Sequence, residues 1–172
     1  MPDIITICPA TAADAPLLAA LAAKTFYDTY AQYNTPADMQ DYITNHFTVS
    51  HIEQEISDPR THLLLAWCNE KMAGYAKLVE GPVPYIPEIP ALEIARYYVD
   101  SDFQGRGVGR KLMAAITDAA LSLQCHTLWL GVWQRNTRAV DIYRHLGFRI
   151  AGTTTFQLGS DLQEDFVMVK EL

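Results

Sequence analysis

A chain of 172 residues matches the length of one domain, and 49% hydrophobic residues are enough for one packed core. The net charge of −7 argues against nucleic acid as a partner, which requires basic surface, and suits a cationic or small neutral ligand. Cys8, Cys68 and Cys125 lack Cys-x-x-Cys spacing and read as reduced thiols, and the start Met1-Pro2-Asp3-Ile4 carries no secretion pattern, so a cytoplasmic location is expected. No apolar run reaches the roughly 18 residues of a membrane span.

In chain order, Ile4 to Ile7 reads as a first strand. Asp14 is placed to cap a helix with Pro16 in its first turn, followed by Leu17, Leu18, Leu21, Ala22 and Phe26 at helical spacing. Tyr27, Asp28 and Tyr30 close that helix; the tyrosines are either core and rim aromatics or the wall of a substrate site. Thr35-Pro36-Ala37-Asp38 starts a second helix, and Ser50-His51-Ile52-Glu53 carries the capping-box signal of a short third one. His62 to Trp67 and Met72 to Val79 are strands joined by a turn at Cys68-Asn69-Glu70-Lys71. Pro82, Pro84, Pro87 and Pro90 forbid regular structure and define a loop. Leu92 to Val99 is a strand, Lys111 to Leu123 a helix, and Thr127 to Trp133 a buried strand. Asn136 precedes a helix from Arg138 to Leu146 that Gly147 terminates, and Phe148 to Phe156 pairs with Asp165 to Lys170. The order implies an α/β domain over 1–172, with a mixed sheet and helices on both faces.

The stretch between the strand at Leu92 and the helix at Lys111 carries the chemistry. Gln104-Gly105-Arg106-Gly107-Val108-Gly109-Arg110 puts alternating glycines and two arginines before a helix N-terminus, an arrangement suited to phosphate or pyrophosphate. A dinucleotide fingerprint needs Gly-x-Gly-x-x-Gly and an acidic residue about 20 positions later, where this chain has Trp129. A Walker loop ends in Gly-Lys-Ser/Thr, and here Gly109 is followed by Arg110-Lys111-Leu112. A tight turn that binds nothing is the remaining simple reading.

The same residues fit Gln/Arg-x-x-Gly-x-Gly/Ala, and this resembles the acetyl-coenzyme A loop of the Gcn5-related N-acetyltransferases. Leu128-Trp129-Leu130-Gly131-Val132-Trp133 with Asn136, Tyr143 and Leu146-Gly147-Phe148 resembles that family's second motif. Thr25-Phe26-Tyr27-Asp28-Thr29-Tyr30, Asn34-Thr35-Pro36-Ala37-Asp38-Met39 and Leu92-Glu93-Ile94 resemble the Pai-type bacterial polyamine acetyltransferases. The resemblance implies a twisted sheet of about seven strands, mostly antiparallel and splayed at the acetyl-coenzyme A site. It implies acetyl transfer to a primary amine of a small molecule such as spermidine or spermine. Protein N-terminal or lysine acetylation and a non-catalytic coenzyme A-binding module are the alternatives. The ribosomal-protein N-terminal enzymes resemble the chain in the glycine loop, but place a catalytic glutamate where it has Gly131.

By the same resemblance, Tyr143 is the acid beside the coenzyme sulfur. Tyr97, Tyr98 and Val99 hold the acetyl carbonyl and pantetheine arm. Gln104, Gly105, Arg106, Gly107, Val108, Gly109 and Arg110 hold the pyrophosphate, and Asn136 caps its helix, contacts the cofactor, or both. Strict alternation puts Glu93, Ala95, Tyr97 and Val99 on one face. Glu93 is then a base through water, an anchor for a substrate ammonium, or an ion-pair partner of Arg96. Asp28, Glu80, Glu88 and Glu93 are expected near the acceptor, with Tyr27 and Tyr30 as candidate contacts. The five histidines show no metal spacing, no metal is expected, and a monomer or homodimer is.

Overall fold

A computed structural model describes Met1–Leu172. In chain order the elements are β1 (Ile5–Pro9), α1 (Ala15–Tyr30), α2 (Pro36–His46), α3 (Val49–Ser57), β2 (Thr61–Cys68), β3 (Lys71–Glu80), β4 (Leu92–Val99), α4 (Val108–Ser122), β5 (Thr127–Trp133), α5 (Thr137–His145), β6 (Arg149–Leu158) and β7 (Asp161–Glu171). One seven-stranded sheet has the order β1-β2-β3-β4-β5-β7-β6. All neighbours are antiparallel except β4 and β5. No helix is long and apolar enough to cross a membrane.

Each face of the sheet has its own core. On one face Leu112, Met113 and Ile116 of α4 and Val140 of α5 pack on Ala76, Leu78, Ile94, Leu128 and Leu130. On the other, Leu18 and Phe26 of α1, Met39 of α2 and Ile52 of α3 pack on Leu63, Leu65 and Tyr75. The proline-rich loop sets Val83 and Ala91 against Val167 and Val169, so it covers the β7 end of that second face.

Several helix starts differ from the sequence expectation in instructive ways. The Asp14 carboxylate makes no cap on α1; it reaches back to accept from the Thr11 amide at 2.7 Å. The third helix is capped by Thr48, whose Oγ1 accepts from the His51 amide at 3.2 Å, two residues before the expected Ser50. Helix α4 begins at Val108, three residues before Lys111, because left-handed Gly107 turns the chain straight into it. Strand β7 starts at Asp161, earlier than Asp165, because Gly159 at φ +58° makes a tight turn from β6.

One irregularity decides which side chains meet. Lys77 of β3 faces Arg96, but Leu78 faces Ile94, so Ala95 is an unpaired bulge residue in β4. The extra residue reverses the alternation expected for Glu93. Leu92 and Ile94 share the α4 face with Tyr97 and Val99. Glu93 instead shares the α1–α3 face with Arg96 and Tyr98.

On that face Glu55 of α3 ties two cations of the sheet. It accepts from Lys77 at 2.6 Å and from both terminal nitrogens of Arg96 at 2.8 and 3.0 Å. Burial works to raise the Glu55 carboxyl, yet the Arg96 and Lys77 charges hold it below the usual carboxylate range. Its contribution to stability is therefore present above the unfolded carboxylate value, near ~4.3, and is lost as pH falls through the lower folded value. Glu55→Gln should cost about 3 kcal/mol at pH 7, the low end for breaking a buried pair. Urea midpoints of the two proteins should draw together as pH falls below the unfolded carboxylate value, near ~4.3; equal midpoints at pH 7 would show that the triad contributes nothing.

Candidate active site

The parallel ladder between β4 and β5 has two partner pairs, Leu92–Leu128 and Glu93–Trp129. Beyond them the strands diverge, and a cleft of about 1250 Å³ opens between them. Its lining draws on both faces of the sheet: Tyr97, Val99 and Tyr143 on the α4 side, and Phe26, Tyr42 and Phe156 on the α1–α2 side.

The α4 side is built for an anion. Gly105 and Gly107 take φ of +77° and +88°, a region that L side chains avoid. The space beside Gly105 is open for 4 Å. The first intrahelical bond of α4 runs from the Lys111 amide to Gly107, which leaves the amides of Val108, Gly109 and Arg110 free at the positive end of the helix dipole. The Tyr97 hydroxyl donates to the Gly109 carbonyl at 2.8 Å, and a Cβ at Gly109 would sit 2.9 Å from that hydroxyl. Gly109 is thus the residue that lets β4 and α4 close on each other. Gln104 donates to the Val99 carbonyl at 3.3 Å and accepts from Arg138 at 3.4 Å, tying loop, strand and α5 together.

Most of the residues expected at this site meet in the cleft. Tyr97, Tyr98, Val99, Gln104, Gly105, Gly107, Gly109, Arg110, Asn136 and Tyr143 all line it. Two of the loop residues do not. Val108 is buried in the core, so only its amide faces the loop, and Arg106 turns away to Asp3 at 3.5 Å. Arg138, which the sequence reading passed over, joins Arg110 as a cation of the lining. The Asn136 Oδ1 accepts from the Ala139 amide at 3.2 Å as the α5 cap, and its Nδ2 stays free to donate. Tyr143 packs against Tyr97 and Phe148, and burial pushes its hydroxyl well above the ordinary phenol value.

The opposite half of the cleft is walled by aromatic rings. Tyr33 meets Trp133 edge-on at 4.9 Å, Tyr30 lies 6.2 Å from Trp133, and Phe26 stacks on Tyr42 at 4.4 Å. Tyr30 lines it, with its hydroxyl pushed up to about 12 by burial. Tyr27 does not; it points outward with 53% of its surface exposed, one helical step from the cleft face. His46, one of the five histidines without metal spacing, reaches the lining against Tyr42, and burial lowers its pKa.

Of the four carboxylates expected near the acceptor, Asp28 and Glu93 line the cleft. Glu80 pairs with His62 at 2.8 Å and Glu88 sits on the loop, both outside the lining. Asp28 is bound by Lys24 at 3.0 Å. Burial raises the Glu93 carboxyl, partly offset by Lys77. Sequence reading missed Asp165 of β7, which lines the cleft and whose carboxyl is pushed up to about 6 by burial. Its signal was the alternation Asp165, Val167, Val169, a carboxylate in line with two apolar residues.

The loop geometry makes a direct prediction for coenzyme A. The ligand at 100 times its dissociation constant should stabilise the protein by about 2.7 kcal/mol. Gly107→Asp should abolish that shift, since it adds a side chain and a negative charge where the chain needs a left-handed residue and free amides. A thermal melt with and without millimolar coenzyme A measures both, and an unshifted wild type would discount the loop as a pyrophosphate site.

Comparison with known proteins gives the same answer. The model of the acetyltransferase (GNAT) family matches residues 22–148. An uncharacterized N-acetyltransferase of Mycobacterium tuberculosis strain H37Rv is 32% identical over 159 residues, covering 92% of this chain and 98% of that protein. The spermine/spermidine N(1)-acetyltransferase of Bacillus subtilis is 31% identical over 78 residues, 45% of this chain and 47% of that one. The crystal structure of the PaiA N-acetyltransferase of Thermoplasma acidophilum, in complex with coenzyme A, superposes with a TM-score of 0.81 at 18% identity, covering 98% and 99% of the two chains. With its splayed sheet, its glycine loop and these matches, the chain belongs to the acetyltransferase (GNAT) family and is an acyltransferase that uses acetyl-coenzyme A.

Proposed function

We propose that the chain acetylates a primary amine of a small polycation, a polyamine such as spermidine or spermine, by direct attack within a ternary complex. The observation that carries this reading is the acceptor half of the cleft, where Glu93 and Asp165 stand at different levels among aromatic walls. Glu93 pairs with Trp129, and Asp165 with Trp133 four residues further along β5. At ordinary strand rise those levels are ~13 Å apart. Neither carboxylate makes a hydrogen bond or ion pair within the protein, so each is available to an ammonium group. The aromatic faces of the same cleft suit a methylene chain and its cations. The Bacillus subtilis relative named for spermine and spermidine supports the same acceptor class over the part that aligns.

Acetyl-coenzyme A, when bound, supplies the activated acetyl thioester. In this reading the free α4 amides with Arg110 and Arg138 hold its pyrophosphate. The open edge of β4 at Tyr97–Val99 holds the arm and polarises the carbonyl under attack. The Asn136 amide group donates while its oxygen caps α5. Tyr143 is the donor to the leaving sulfur. A buried phenol raised well above 10 stays protonated throughout the working range, so it acts chiefly as a hydrogen-bond donor. Outright transfer to a thiolate near ~8.5 would be uphill unless the amine nitrogen replaces the proton in the same step. Tyr143→Phe should keep coenzyme A affinity and lower turnover by roughly 10²–10⁴. Unchanged turnover with chemistry rate-limiting would remove Tyr143 from the mechanism.

The acceptor is tested with a panel of spermidine, butylamine and an alanyl peptide. Each charge-assisted contact to a distal ammonium contributes about 1.5–3 kcal/mol, so kcat/KM for spermidine should exceed that for butylamine by about 10-fold or more. A peptide preferred over spermidine would replace this reading with protein N-terminal acetylation.

A further inference from the structure

We propose that Asp165 is the carboxylate that receives the reacting ammonium of the acceptor and takes its proton. The inference rests on the reading of this chain as an amine acetyltransferase, and it assigns within that site which carboxylate does the chemistry.

Position is the first argument. Asp165 pairs with Trp133 on β5, at the level where β4 and β5 have separated. On its own strand it shares a face with Val167 and Val169, which are fully buried under the proline-rich loop. Asp165 is where that apolar row emerges into the cleft. Tyr30, Tyr143 and Asp165 all line this one cleft. Asp165 therefore sits on the same gap as the phenol proposed to face the leaving sulfur, entering from the acceptor side.

Space is the second argument. A Cβ at Gly131 would come within 3.4 Å of Asp165 Oδ2. Gly131 has no positive φ that would demand glycine. What its missing side chain does is leave the Asp165 carboxylate uncovered toward the gap.

One hydrogen bond at Asp165 is also unmet. Asp165 Oδ1 is buried and accepts no hydrogen bond from the protein. Buried carboxylate oxygens are ordinarily satisfied or paired. The titratable groups near it are phenols, Tyr30 from α1, with Tyr98 of β4 and Tyr143 of α5 beyond it. No cation of the chain compensates it; Lys24 is held by Asp28 and Asp100, and Lys77 and Arg96 by Glu55. Asp28 and Glu93 each have a lysine in reach, and Asp165 has none. The missing partner is a donor of positive charge brought by the substrate. Burial places the carboxyl near 6, so it is ionised at neutral pH and still basic enough to hold a proton transiently.

The proton count closes. The ammonium gives one proton to the Asp165 carboxylate, and the neutral nitrogen forms the C–N bond to the acetyl carbon. As the C–S bond breaks, the sulfur takes a proton from Tyr143, which regains one from the nitrogen. The product amide keeps the third proton, and Asp165 releases the first to solvent.

Asp165→Asn keeps shape and removes the charge. In wild type saturated with coenzyme A, spermidine and butylamine should both bind by calorimetry. In Asp165→Asn both should bind at least ten times more weakly, with coenzyme A affinity retained and the melting temperature at neutral pH no lower than in wild type. kcat/KM for both amines should fall by about 10² or more, the usual range for a positioned base. The wild-type kcat/KM should rise with pH through a limb near 6, and the variant should lack it. Asp165→Glu should recover part of the rate. Loss for spermidine with butylamine unaffected would make Asp165 a distal anchor and overturn its role as proton acceptor. Equal binding and turnover of both amines in the variant would overturn the proposal altogether. A wild type that binds coenzyme A but acetylates no amine of the panel would instead overturn the acceptor class on which it rests.

Discussion

The whole arrangement depends on one interruption, the short parallel contact between β4 and β5. Two partner pairs hold them together, while β4 keeps its full antiparallel ladder with β3 and β5 keeps its own with β7. Each strand is thus fixed from its outer side and released on its inner side. An internal break in a sheet exposes two rows of backbone donors and acceptors, a costly thing to leave in a core. Here the break forms the floor of the cleft, where a ligand rich in amides can pair with it. The bulge at Ala95 sharpens the local twist of β4 just as the two strands part.

The split also sorts charge. The α4 side presents free helix amides, Arg110 and Arg138, and takes an anion. The α1–α2 side presents Glu93 and Asp165, which suit a cation. Lys77 and Arg96 belong to that second side and would repel an ammonium, but Glu55 binds both at 2.6 to 3.0 Å. Glu55 lies outside the cleft, so its influence on the acceptor acts through those two cations. Two ligands of opposite sign can therefore approach from opposite faces and meet at one gap, each kept from the other's surface by its charge.

What the sequence displayed was local, and what it hid was set by pairing between distant strands. The glycine loop, β4, β5, the Thr35 cap and the Asn136 cap are readable because each rests on residues within a few positions of one another. The face of Glu93 was misread because alternation is a local rule and the bulge at Ala95 is imposed by register with β3. Arg106 and Arg138 exchanged expectations for a related reason. Arg106 sits in the loop but finds Asp3 from the other end of the chain, while Arg138 is distant in sequence and reaches Gln104. Tyr27 and Tyr30 differ by less than one helical turn, yet only Tyr30 faces Trp133. Asp165 left a trace in its alternation with Val167 and Val169, but its meaning required knowing that Trp133 is its partner.

The half-buried carboxylate of Asp165, with its Oδ1 unbonded, is unfavourable to the fold taken alone. An unsatisfied buried acceptor costs about 1–3 kcal/mol, and a charged one more. Because its folded value is raised to about 6, stability falls as pH rises from the unfolded carboxylate range through that value, the opposite of Glu55. A lysine or arginine placed beside it would recover that loss. It would also remove what distinguishes an ammonium from a neutral guest in an aromatic pocket, since the carboxylate would arrive already paired. The neighbouring phenol of Tyr30 is itself raised by burial and stays neutral, so it adds no charge that would compensate the carboxylate. In the proposed role, the site keeps one uncompensated negative charge for a cation to complete, and the stability given up there is recovered as selectivity when an ammonium binds.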